Sequence, residues 1–247
     1  MSVLKKIYNK SKLLFAIIWI IAYCVLMSVG DSLSDIIGID KSVTLVIGII
    51  LSAILLLFLK KNGLFSDLGL CTPKVSLRYM LYYLPILVML TANLWYGVNL
   101  NYGATETVFY VLAMLCVGFL EEIIFRGLLF EAMREDNVKA AIIVSSVTFG
   151  IGHIINLING SGTELLPNLL QVVYATAAGF MFVMMYYRSK SLTVCIVAHG
   201  VFNALSVFAD EKNATANMRI FTAILLTLIT GSYALYLALS KTKDEKG

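Results

Sequence analysis

Eight apolar runs recur along this chain, at roughly 13–29, 43–59, 79–98, 107–130, 140–157, 167–187, 191–209 and 218–239, on the scale needed to cross about 30 Å of hydrocarbon. A backbone inside lipid must satisfy its own polar groups, which leaves helices or a closed barrel, and unbroken apolar runs select helices. Hydrophobic residues make up 60% of the chain and charged ones 14%, with a mean hydropathy of +0.87, far from a soluble average. The expected fold is an all-α, polytopic membrane bundle of about eight transmembrane helices. No repeat, low-complexity block or long hydrophilic stretch interrupts it, so residues 1–247 read as a single membrane domain.

Orientation follows from the basic residues, because positively charged loops stay on the cytoplasmic side. Lys5, Lys6, Lys10 and Lys12 precede the first run; Lys60, Lys61, Lys74 and Arg78 follow the second; Arg134 and Lys139 follow the fourth; Arg188 and Lys190 follow the sixth; Lys241, Lys243 and Lys246 end the chain. With an even number of crossings all of these share one face, which predicts that both termini are cytoplasmic. The opposite loops hold Lys41, Lys212 and Arg219 against seven acids. The net charge of +4 therefore reports topology and anionic headgroups, with no nucleic-acid partner implied.

The first run is followed by Ser28-Val29-Gly30-Asp31-Ser32, which lacks a small-x-small cleavage pattern, so it is expected to stay as an anchor. Cys24, Cys116 and Cys195 lie in expected helices and Cys71 in a loop, with no disulfide framework or CxxC knuckle. Pro85 in the third run predicts a kink. Residues 62–70 mix apolar and turn-forming types and are expected to lie along the inner membrane surface.

Against this background three polar insertions stand out: Glu121-Glu122 with Arg126, then His153 four residues after Phe149, then His199 four before Asn203. Charge at bilayer depth is costly and marks function by default. Glu122 and Arg126 form an i, i+4 pair with the acid N-terminal, the favoured order. Glu121, turned about 100° away, has no partner on its own helix and suits proton transfer. Counting from the nearest basic residue at 1.5 Å per residue, Glu121 (from Arg134), His153 (from Lys139) and Asn203 (from Lys190) each sit roughly 20 Å deep, with His199 one turn nearer the cytoplasm. Groups on three helices at one depth make a site. A buried ion network that merely locks packing is the competing reading for Glu122 and Arg126.

In this order, Glu121-Glu122-x-x-x-Arg126, Phe149-x-x-x-His153 and His199-x-x-x-Asn203 resemble the CPBP family, the type II CAAX prenyl endopeptidases and bacterial Abi proteins, over a core at residues 105–209. The resemblance implies an intramembrane endopeptidase. Glu121 and His153 would hold and deprotonate the attacking water, His199 and Asn203 would donate to the oxyanion, and Glu122 with Arg126 would support them. The cofactor is either absent or one divalent metal, zinc, held by Glu121, His153 and His199. Direct glutamate catalysis is favoured, because Asn203 is a better oxyanion donor than zinc ligand. The expected partner is a membrane-associated peptide or protein, and the expected setting is a bacterial plasma membrane. A proton- or ion-coupled transporter and a non-catalytic immunity or scaffold protein remain as rivals.

Overall fold

The computed structural model describes residues 3–157 and 164–240, so Lys241, Lys243 and Lys246 lie outside the described residues. Its elements are α1 (Val3–Lys10), α2 (Lys12–Ile37), α3 (Ser42–Lys61), a 3₁₀ stretch (Leu77–Tyr83) leading into α4 (Leu84–Thr91), α5 (Ala104–Glu122), a π-helix (Ile123–Phe130), α6 (Glu131–Arg134), α7 (Val138–Gly152), α8 (Leu165–Ser189), α9 (Thr193–Leu205) and α10 (Ala216–Leu239). Among the described residues, seven helices are long and apolar enough to cross a membrane. This is a multi-pass, all-helical membrane protein.

The seventh expected crossing is shorter. Its apolar helix runs over Thr193–Phe208, about 24 Å at the helical rise, less than a full hydrocarbon core. The third is kinked as expected, but not at Pro85 itself. Leu81, Tyr82 and Tyr83 adopt positive φ of 49°, 53° and 57°, and Pro85 lies in the first turn of α4, where its missing N–H costs nothing. The break therefore precedes the proline. Residues 64–70 also do more than lie along a surface: the Leu192 N–H donates to the Gly69 carbonyl at 2.7 Å and the Lys74 N–H to the Ser189 carbonyl at 2.8 Å. That turn is clamped onto the α8–α9 connection.

Without a hydrophobic force between helices in lipid, close packing and interhelical hydrogen bonds hold a bundle together, and small residues permit the approach. One close crossing is α5 on α9. A Cβ on Gly118 would lie 2.6 Å from the Gly200 backbone. In the α7–α8 crossing, a Cβ on Gly150 would meet the Thr176 Cα at 2.8 Å and one on Gly179 the Ser146 carbonyl oxygen at 2.8 Å. Gly118, Gly150 and Gly200 stand one to three residues from Glu121, His153 and His199. The crossings they permit bring α5, α7, α8 and α9 together at the depth where the polar groups lie.

Candidate active site

Glu121 and Glu122 occupy the last turn of α5, immediately before the backbone widens into the π-helix. Long π stretches are rare and often occur at functional sites. Here the change follows the two acids directly, and every residue of Ile123–Phe130 is buried.

Glu122 and Arg126 form the expected pair, fully buried, with Arg126 Nη1 donating to Glu122 Oε1 at 3.0 Å. Arg126 Nη2 also donates to the Gly179 carbonyl at 3.3 Å. Its guanidinium lies 4.2 Å from the Phe149 ring centroid and 5.5 Å from that of Phe182. Such a desolvated cation–π contact is worth about 2 kcal/mol. Gly179 thus serves twice, admitting the neighbouring helix and presenting an acceptor.

Glu122 is more than a counter-ion. His199 Nδ1 lies 2.8 Å from the same Oε1, and its other nitrogen, Nε2, lies 3.4 Å from Glu121 Oε2. The imidazole stacks on Phe182 at 5.3 Å with an interplanar angle of 20°, and the edge of Phe149 meets it at 5.6 Å. Both nitrogens therefore face carboxylates from α5. On the other side of Glu121, the hydroxyl of Tyr23 on α2 donates to Oε1 at 2.7 Å. Arg126, Glu122, His199, Glu121 and Tyr23 form one continuous buried polar string, drawn from α2, α9 and the α5–π-helix segment.

His153 caps the end of α7 and leads a 3₁₀ turn. Its carbonyl accepts from the Asn168 side chain at 2.7 Å, and its ring meets Phe149 edge-on at 5.3 Å. Glu121, His199 and Arg126 are the ionisable groups near enough to act on it electrostatically. With Asn203, His199, Phe149 and Phe182 it lines a cavity of about 40 Å³, to which Met89 of α4 also contributes. At about 10–15 Å³ per water, that is room for about three waters.

All six residues expected from sequence gather in one region, in two sets. Glu121, Glu122, Arg126 and His199 touch through polar atoms; His153 and Asn203 face the adjoining cavity. Tyr23, Phe182 and Gly179 belong to the site and were not anticipated. A signal for Tyr23 did exist: Phe15, Trp19, Tyr23 and Met27 recur every four residues and are all buried, so its hydroxyl lies on an inward-facing stripe.

Three polar atoms of the string, Glu121 Oε2, Glu122 Oε2 and Arg126 Nε, are buried without a hydrogen-bond partner among the described residues. Each such group costs about 1–3 kcal/mol. A donor to Glu121 Oε2 would accordingly be favoured.

Residues 103–205 match the family described as Type II CAAX prenyl endopeptidase Rce1-like. The matched segment is the one that carries the three motifs. Similarity extends to a Bacillus subtilis (strain 168) protein named "Putative membrane peptidase YdiL", 38% identical over 89 residues, which is 36% of this chain and 31% of that relative. The chain thus matches about a third of the relative's length. Tyr23 lies outside the Rce1-like segment, whereas Glu121, Glu122, Arg126, His153, His199 and Asn203 all lie within it.

Proposed function

We propose that this protein is an intramembrane endopeptidase that hydrolyses a peptide bond of a membrane-associated peptide or protein, of the CAAX or Abi type. The observation that supports it most is the buried Glu121–His199 contact beside a water-sized cavity walled by His153 and Asn203, within an Rce1-like segment.

The chemistry follows from the groups. A peptide carbonyl resists neutral water, so a base must take a proton as the oxygen attacks. Glu121 is that base, through Oε2, because Oε1 is occupied by the Tyr23 hydroxyl. Glu122, already paired with Arg126, acts as an acceptor, which assigns a proton to His199 Nδ1. A second proton belongs to His199 Nε2, an ion-pair neighbour 3.4 Å from Glu121 Oε2 and not its hydrogen-bond partner. In the attacking state it lies on His199, leaving Glu121 ionised and an imidazolium held between two carboxylates. His153 faces the cavity and orients the water. Asn203 also lines the cavity and its amide serves the tetrahedral oxyanion, a contribution of about 3–4 kcal/mol for one donor. With both ring nitrogens of His199 facing carboxylates, Asn203 is the better donor of the two. The proton held by Glu121 then passes to the leaving amine, restoring the start.

A divalent metal would require Glu121, His153 and His199 as ligands. The Nδ1–carboxylate contact of His199 is one that metal-bearing histidines commonly make. Among the described residues, however, no three His, Cys, Asp or Glu side chains gather as a metal-binding group. We favour direct glutamate catalysis, with these side chains carrying the proton transfers themselves.

Cytoplasmic termini form part of this reading and require the short α9 helix to complete a crossing. A bacterial plasma membrane is the proposed location. The test compares membrane proteomes and released peptides of cells carrying wild type or Glu121→Gln, alongside cleavage of a farnesylated CAAX-type peptide by protein purified into nanodiscs. Products that need an intact Glu121 support the proposal, and chelator sensitivity of that cleavage addresses the metal. Equal profiles, with no peptide cleaved, favour a scaffold or transporter.

A further inference from the structure

We propose that Tyr23 is a positioning residue for Glu121, supplied by the first membrane-spanning helix from outside the Rce1-like segment. The inference rests on the endopeptidase reading and deepens it.

A glutamate side chain has three rotatable bonds and two equivalent oxygens, so a catalytic carboxylate needs something to decide which oxygen faces the reacting water. Tyr23 does this in one contact. Its hydroxyl donates to Oε1 at 2.7 Å, a buried bond between residues 98 apart in sequence. Oε2 is left directed at His199 and without a hydrogen bond of its own among the described residues. One oxygen is thereby anchored and the other kept for proton transfer.

Tyr23 is itself held. It lies on the stripe of α2 that buries Phe15, Trp19 and Met27, and α2 packs along the π-helix that follows the two acids. The hydroxyl therefore approaches Glu121 from a rigid element. Tyr23 is not among the residues that line the cavity. It acts through Glu121, to which its hydroxyl donates. Trp19, one turn earlier on the same stripe, is equally buried and makes a ring contact with Phe15, which makes it the natural packing control.

The experiment uses full-length protein in nanodiscs with the farnesylated CAAX-type peptide as probe. It compares wild type, Tyr23→Phe, Trp19→Phe, Glu121→Gln and the Tyr23→Phe/Glu121→Gln double variant, and reads kcat, KM and thermal midpoint. Loss of one hydrogen bond to a charged group predicts a kcat lower by about 10- to 100-fold for Tyr23→Phe. KM should stay within about twofold, since the substrate's own contacts are unchanged. Trp19→Phe should keep kcat, and the double variant should be no slower than Glu121→Gln, because residues acting as one unit are not additive.

If wild type cleaves the peptide and Tyr23→Phe keeps its kcat, this proposal fails alone. It fails equally if Tyr23→Phe does not fold or melts far below wild type, since Tyr23 would then be a packing residue. If wild type leaves the peptide intact, the endopeptidase reading fails and this inference falls with it.

Discussion

Two regions of the bundle carry opposite kinds of cost. In the motif-bearing core, α5, α7, α8 and α9 meet at glycines with backbone regular enough to pack tightly, and the cost is electrostatic: two carboxylates and a guanidinium buried together. In the third membrane element the cost lies in the backbone. Three consecutive left-handed residues cost about 1–2 kcal/mol each, while Tyr82, Leu84 and Leu87 face outward. That stretch is held by two tyrosines of α10, Tyr233 donating to the Met80 carbonyl at 2.6 Å and Tyr236 to that of Tyr79 at 3.4 Å. Yet Met89 of the same element closes one side of the cavity. The charged groups are placed where helices pack closely on every side, and the strained segment where one side faces out of the bundle.

The contrast breaks most readily at Glu121. Glu121→Gln, which keeps shape, should lower cleavage of the farnesylated peptide by at least about a thousandfold, since it removes the base itself. The protein's thermal midpoint should stay near that of wild type. Arg126→Leu comes next: it leaves Glu122 buried without its cation, and breaking such a pair costs about 3–5 kcal/mol. A marked fall in thermal midpoint should accompany lost activity. For Asn203→Ala, the loss of one oxyanion donor should lower kcat by about 100- to 1000-fold with folding retained.

Packing gives a smaller effect that sharpens the division. Gly118→Ala forces the new methyl against the Gly200 backbone and should cost about 1–3 kcal/mol, with activity reduced because His199 shifts relative to the acids. The smallest effect has the opposite sign. Tyr82→Gly in the strained element should stabilise the fold by about 1 kcal/mol, read as a higher thermal midpoint, because glycine tolerates positive φ. Should Tyr82→Gly destabilise instead, the strain assigned to this element is wrong.

Much of this site is legible in the residues alone. Glu122 and Arg126 pair because residues four apart share a helix face, a local rule that needs no neighbour. His153 and Asn203 come to one cavity, as a count of helical rise from the basic residues leads one to expect. Other features are hidden by their long range. Nothing near residue 121 names Tyr23 as its partner, and His199 reads as an oxyanion donor until its nitrogens are seen to face both carboxylates. Pro85 is expected to mark a kink, but the backbone breaks just before it, where tyrosines of α10 supply partners for the freed carbonyls.

Sequence by itself determined that this is a multi-pass helical membrane protein and which polar residues had to be sheltered, because apolar length and helical periodicity are properties of a single segment in lipid. Only the tertiary structure decided which oxygen of Glu121 is anchored, where His199 points and how narrow the cavity is. Those depend on helix crossings set by glycine-to-backbone contacts between segments tens of residues apart, and such contacts exist only once the bundle has assembled.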